Sequence, residues 1–202
     1  MESSQSSHSN PRVGLVLGGG GVRGAVFHAA ALMALEVDLG WDSRTADVVV
    51  GTSAGALMGL LTRMDVSGTD LAAMISEVPH HADHELVANR IVTARLGLAA
   101  FLPSVRPSHL LNGSLKRHPR NPAAALLSLY PTGDVDFLTL LDFITTHTHN
   151  TWPAGDLRIC SVRSDFTRVV WDASSSVDLD LAVASSCSLP GYAQGAAIDG
   201  WT

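Results

Sequence analysis

The chain has 202 residues, of which 46% are hydrophobic and 16% charged, and it carries a formal net charge of −6. This composition excludes a disordered chain, because ample apolar surface is available for burial, and the acidic balance argues against a nucleic-acid binder. The length fits one domain, or one domain with a small appendage, and no apolar run reaches the roughly 18 residues of a membrane-spanning helix.

The N-terminal residues 1–12 are polar, rich in serine and interrupted by Pro11. They lack the basic start and the apolar core of a secretory signal, so we expect a disordered leader and no export. The folded domain is expected to span residues 13–202, in a protein that is cytoplasmic or peripherally associated with a membrane.

The first half of the chain twice repeats a short apolar strand, a glycine turn and a helix. The predicted elements are a strand at 13–17, a helix at 22–39, a strand at 46–50 and a helix at 56–64. Within the first helix an apolar stripe is expected, because apolar residues recur at helical spacing. The stripe consists of Val26, Ala29, Ala30, Met33 and Val37. The βαβα order predicts an α/β fold, a three-layer α/β/α sandwich with a mainly parallel sheet.

The second half is less regular. Residues 79–152 contain several prolines between short apolar segments, the clearest at 96–102 and 123–130, and predict a helical insertion that packs over the sheet. Residues 157–162 and 168–171 predict a β-hairpin, and 177–186 predict a short helix before a turn.

Two cysteines, Cys160 and Cys187, are far apart and form no C-x-x-C pair. A disulfide framework or a cysteine-based zinc site is therefore not expected, and both thiols are predicted to be buried.

The second glycine turn contains the pentapeptide G-x-S-x-G, which reads Gly51-Thr52-Ser53-Ala54-Gly55. Between a strand and a helix, this spacing is typical of a nucleophilic serine on a sharp turn, where side chains two residues to either side would collide. Glycines at 51 and 55 remove those collisions, and the start of the helix favours negative charge at Ser53. The sequence therefore predicts Ser53 as a nucleophile, against the alternative of an ordinary glycine–serine turn.

The first glycine turn contains a G-x-G-x-x-G pattern at Gly19, Gly21 and Gly24. A dinucleotide site is disfavoured, because it needs an acidic residue where the second strand instead runs into Gly51. A P-loop is excluded because alanine, not lysine, follows Gly24. The pattern is better explained as an oxyanion hole of exposed backbone amides, in which Arg23 either supports the loop or forms an ordinary surface salt bridge.

Together the two motifs resemble those of the patatin-like phospholipases, lipid acyl hydrolases that use a Ser–Asp dyad on an α/β sheet. The family's G-G-G-x-R-G loop and its G-x-S-x-G elbow occur here in order and at the expected spacing, at residues 19–24 and 51–55. A third segment, residues 184–192, looks like the stretch before the family's catalytic aspartate.

The resemblance implies hydrolysis of phospholipid or acylglycerol esters through an acyl-enzyme on Ser53, without a metal or an organic cofactor. The backbone amides of Gly19, Gly20 and Gly21 would hold the oxyanion, with Arg23 and Gly24 in the same loop. The implied partners are a lipid ester and a membrane surface at its periphery.

The family's catalytic aspartate stands in a D-G-G or D-G-A triplet, and here the chain departs from the pattern. Asp199-Gly200 is followed by Trp201, and Ile198-Asp199-Gly200 fits an earlier hairpin of the family better than the triplet. We therefore expect the base beyond Thr202, with Asp199 as the alternative base. A chain without a base would be an inactive patatin-like fragment or a lipid-binding module, because its serine would be a weak nucleophile.

Histidines offer another possible base, but none is assigned. His80, His81 and His84 cluster in the predicted insertion, where a solvated surface is favoured over a metal site at the i, i+4 pair. His147 and His149 lie near its end. His28 is expected to pack in or at the rim of the core.

Overall fold

A computed structural model of the chain describes residues 12–76, 135–163, 167–189 and 192–198. The strands are β1 (Gly14–Leu17), β2 (Val48–Gly51), β3 (Asp156–Val162) and β4 (Arg168–Trp171). The α-helices are α1 (Gly21–Leu39), α2 (Ala54–Arg63), α3 (Gly68–Ile75), α4 (Phe137–Leu140), α5 (Asp142–Thr148) and α6 (Leu179–Cys187). A short 3-10 helix, Ser43–Thr45, precedes β2.

The strands form one sheet in the order β1-β2-β3-β4. β1 pairs with β2, and β2 with β3, in parallel, whereas β3 and β4 are antiparallel as predicted for the hairpin. The register places Leu17 beside Gly51 and Gly51 beside Ile159. The fold class is therefore confirmed as an α/β sandwich with a mainly parallel sheet, and the carboxyl ends of β1 and β2 meet at one edge.

One face of the sheet forms the core. Its buried side chains are Leu17, Val49, Leu157, Ile159 and Trp171. Helix α2 lies against β1, β2 and β3, and α6 lies against β3. Close approach of α2 requires Gly59, because a Cβ there would lie 2.8 Å from Cγ1 of Val49.

The opposite face carries exposed valines, among them Val16, Val162 and Val170. Cys160 points to this face and is only half-buried, so the prediction that both cysteines are buried is wrong for Cys160 and confirmed for Cys187. The cause is the alternation of side chains along β3, which turns every second residue away from the helices.

Helix α1 buries a different stripe from the one predicted. Its buried residues are Ala25, His28, Ala29 and Leu32, and of the predicted stripe only Ala29 is buried, since Val26, Ala30, Met33 and Val37 are exposed. Both sets recur at helical spacing, and the buried set is the one that α2 and α3 cover. A Cβ at Gly68 of α3 would lie 2.5 Å from the Leu32 carbonyl oxygen.

Several predictions concern residues outside the described ranges. These are the leader at 1–11, the helical segments 96–102 and 123–130, the cluster His80, His81 and His84, and Asp199. Among the described residues, none of the helices is long and apolar enough to cross a membrane.

Candidate active site

Ser53 stands in the turn between β2 and α2, with φ 53° and ψ −120°. A side-chain-bearing residue in this region is strained by roughly 1–3 kcal/mol, and such strain is found mainly at functional sites. The two flanking glycines make the turn possible. A Cβ at Gly51 would lie 2.5 Å from Cα of Ala56, and one at Gly55 would lie 2.7 Å from the Gly18 carbonyl oxygen.

The backbone amides around Ser53 have distinct partners. The Thr52 amide donates to the carbonyl of Leu17 on β1 at 3.0 Å. The Ser53 amide donates to Oγ of Ser186 on α6 at 2.8 Å. The amide of Ala54, the first residue of α2, donates to no acceptor among the described residues. It is therefore available to a bound group, as the amide that follows a nucleophile is in serine hydrolases.

The glycine loop between β1 and α1 faces Ser53. A Cβ at Gly19 would lie 3.6 Å from Cβ of Ser53, an ordinary van der Waals distance, so the loop and the serine are close neighbours. Gly20 precedes α1 without a side-chain cap, with φ 155°. Within the described parts of the chain, the amides of Gly19, Gly20 and Gly21 have no acceptor. Two helix N-termini with free amides thus converge near one hydroxyl, which favours developing negative charge.

Gly24 belongs to the same motif but has a different environment. Its amide donates to the Gly20 carbonyl at 3.0 Å, so it is already engaged in the first turn of α1. A Cβ at Gly24 would lie 3.3 Å from the Gly19 carbonyl oxygen and 3.7 Å from Cβ of Ala54. Gly24 thus allows the loop to pack against the elbow.

Arg23 lies in the first turn of α1 with an exposed side chain. It makes no ion pair with any residue of the described ranges, so the alternative of a surface salt bridge has no partner there. Its charge adds to the positive end of the helix beside the glycine loop.

His28 is 8% exposed and packs beneath the loop, as predicted for a core or rim histidine. Its Nε2 lies 2.7 Å from the Gly18 carbonyl oxygen. Because a carbonyl oxygen only accepts, Nε2 carries the proton and donates it. The imidazole therefore holds the carbonyl that begins the glycine loop.

The Cys187 thiol is buried at the end of α6, next to Ser186 in the chain. Burial raises the pKa of Cys187 to about 11, and the Ser53 hydrogen bond offsets part of that rise. At neutral pH the group is a neutral thiol and cannot remove the serine proton. No carboxylate or imidazole within the described ranges is hydrogen-bonded to Ser53, and Asp199 lies outside them.

The structure brings together the predicted Ser53 and Gly19, and it adds three groups that the motifs did not single out. These are the Ala54 amide, the Ser186 hydroxyl and the Cys187 thiol. The last two belong to the segment 184–192, and the resemblance of this segment to the patatin-like stretch before the catalytic aspartate is the one feature of the sequence that indicates them. No group of three or more His, Cys, Asp or Glu residues that could hold a metal ion occurs among the described residues.

Comparison with known proteins gives one family and several structural likenesses, of which two are described. The family model described as patatin-like phospholipase matches residues 15–200. A search of the curated proteins found no match.

The first structural likeness is to the heterodimeric ExoU–SpcU complex from the type III secretion system of Pseudomonas aeruginosa. It has 22% identity and a TM-score of 0.43, and it covers 90% of this chain and 37% of the other. The second is to the type III effector protein ExoU, with 22% identity, a TM-score of 0.43, and coverage of 90% and 40%. The chain thus spans about two fifths of the length of these solved chains.

Proposed function

Because this chain belongs to the patatin-like phospholipase family, we propose that it is a serine acyl hydrolase that cleaves the carboxylic esters of lipids. The observation that carries the proposal is the strained Ser53, with φ 53°, at the meeting point of two helix N-termini with free amides. This arrangement matches the needs of ester hydrolysis, which creates an oxyanion beside the attacking oxygen.

In the first step, Oγ of Ser53 attacks the carbonyl carbon of the ester. The carbonyl π pair moves onto oxygen, and the resulting oxyanion accepts hydrogen bonds from the loop amides of Gly19, Gly20 and Gly21 and from the Ala54 amide. Each well-placed donor contributes about 3 kcal/mol to the stability of the transition state. When the carbonyl re-forms, the C–O bond to the alcohol breaks and an acyl-serine remains.

In the second step, water attacks the acyl-serine and releases the fatty acid. A general base takes the proton of Ser53 in the first step, gives it to the leaving alcohol, and takes a proton from water in the second. In the proposed Ser–Asp dyad this base is an aspartate. Asp199 is its candidate among the 202 residues.

Apolar side chains near the glycine loop support a lipid substrate. Val22 and Phe27, on the first two turns of α1, are 52% and 69% exposed. Val26 on the same turns is also exposed. Acyl chains and the surface of a bilayer gain free energy by covering such groups. We propose that this end of α1 faces the lipid and that membrane contact is peripheral.

The proposal is tested by hydrolysis of p-nitrophenyl esters by the 202-residue chain and by its Ser53→Ala variant. Thr52→Ala is the matched control, because it removes the neighbouring hydroxyl from the same turn. We expect Ser53→Ala to abolish turnover above background and Thr52→Ala to retain it. Turnover that survives in Ser53→Ala excludes Ser53 as the nucleophile. No turnover in any of the three favours the inactive, lipid-binding alternative.

A further inference from the structure

We propose that Ser186, which no motif assigns, is a positioning residue that holds the peptide bond before the nucleophile in its strained orientation. Its Oγ accepts the Ser53 amide at 2.8 Å and donates to the carbonyl of Cys160 on β3 at 2.6 Å. One hydroxyl therefore ties the elbow, helix α6 and strand β3 together. This inference rests on the proposed function, in which Ser53 is the nucleophile.

The Ser53 peptide needs this external support. Its φ of 53° and ψ of −120° are unfavourable for an L-residue, so the surrounding structure must fix them. The Thr52 amide is already held by Leu17, and the Ser53 amide has no acceptor other than Ser186 among the described residues. Rotation of this peptide would swing Cα–Cβ of Ser53 away from the loop amides. Misplacement of a reacting group by about 1 Å can lower a rate about 100-fold.

The chemistry of Ser186 suits the position. A hydroxyl accepts from the Ser53 amide and donates to the Cys160 carbonyl at the same time, which alanine cannot do and threonine can. The next residue, Cys187, is buried at the same end of α6.

The adjacent Ser185 provides a matched control. Its Oγ lies 2.8 Å from Oγ of Ser161, accepts from Nε1 of Trp171 at 3.2 Å and donates to the Ala182 carbonyl at 2.8 Å. It therefore binds the core and not the elbow. Removal of this hydroxyl destabilises the same helix without touching the Ser53 peptide.

The experiment uses the 202-residue chain with Ser186→Ala, Ser186→Thr and Ser185→Ala, and a fluorophosphonate as the probe. The maximal labelling rate and the half-saturating probe concentration are measured together with the melting temperature. We expect Ser186→Ala to lower the maximal rate about 10- to 100-fold, with the half-saturating concentration within about twofold. Ser186→Thr is expected to restore the rate to within about threefold. Ser185→Ala is expected to melt at a lower temperature and to label at the unchanged rate.

A second measurement, hydrogen exchange of the Ser53 amide followed by NMR, does not depend on catalysis. Loss of its acceptor is expected to accelerate exchange about tenfold in Ser186→Ala and not in Ser185→Ala. The positioning role is overturned if Ser186→Ala labels at the wild-type rate, or if Ser185→Ala slows labelling equally. If the wild-type chain takes no label at Ser53, the proposed function fails. The amide exchange then still decides whether Ser186 holds this peptide.

Discussion

Gly55 marks the closest backbone approach at the candidate site, and Gly55→Ala is expected to impair both stability and labelling of Ser53. The added Cβ would lie 2.7 Å from the Gly18 carbonyl oxygen and nearer still to the carbonyl of Leu17. Both obstacles are backbone atoms, so no side-chain rotation relieves the contact. Helix α2 and the glycine loop must separate by about 1 Å to reach an ordinary van der Waals distance.

The separation has two measurable consequences. Overpacking of this kind lowers the free energy of unfolding by about 1–3 kcal/mol. A displacement of about 1 Å between Ser53 and the loop amides is expected to slow its reaction about 100-fold, which corresponds to about 2.7 kcal/mol of activation free energy. We therefore expect the fluorophosphonate labelling rate of Gly55→Ala to fall about 100-fold while the chain remains folded.

The assay combines urea unfolding with the labelling rate of the folded protein. Gly18→Ala is the control, because Gly18 lies on the other side of the same close approach and a Cβ there meets nothing within 4 Å. It should label within about twofold of the unsubstituted chain. A Gly55→Ala protein that unfolds and labels like the unsubstituted one would refute the close packing of α2 against β1.

Three further predictions use the same labelling or related chemistry. Asp199→Asn tests Asp199 as the base of the 202-residue chain: a loss of about 100-fold in the labelling rate would identify it as the base, and a rate within about twofold would exclude it. His28→Ala should slow labelling about tenfold, because the Gly18 carbonyl loses its hydrogen-bond donor. His28→Gln can still donate and should restore most of the labelling rate. Equal losses in the two variants would contradict a role for this hydrogen bond. Iodoacetamide at pH 8 should modify Cys160 before Cys187, as followed by peptide mass spectrometry. With a pKa of about 11, only about one thousandth of Cys187 is thiolate at this pH. Modification of Cys187 first would contradict the burial of its thiol.

The order of strands and helices was predictable because its signals are local. Glycine turns end β1 and β2. Polar residues separate β3 from β4, and the observed β4, Arg168–Trp171, matches the predicted bounds. The exception is the start of β2, which lies at Val48 and not at the predicted residue 46. Asp42 accepts the Arg44 amide and initiates a 3-10 turn, which delays the strand to Val48.

The buried face of α1 was not predictable from periodicity, because this helix is apolar nearly all round. Val26 and Ala29 both lie on helical stripes, and only the packing of α2 and α3 decides which stripe is covered. The side of the sheet on which Cys160 lies depends in the same way on where the helices pack.

In the candidate active site, too, the features set by local sequence were predictable and those set by packing were not. Ser53 and the glycine loop were predictable, because the turn chemistry that shapes them is contained in five or six consecutive residues. Ser186 lies 133 residues from Ser53 in the chain, and their hydrogen bond exists only because α6 packs on β3. No spacing rule connects two such residues.

The central claim, that Ser53 is the nucleophile of an acyl hydrolase, is tested most directly by mapping the fluorophosphonate adduct. The labelled 202-residue chain is digested, and the modified residue is identified by mass spectrometry. We expect a single adduct on Oγ of Ser53 that is absent from the Ser53→Ala variant. An adduct on another residue, or labelling that persists in Ser53→Ala, would contradict it.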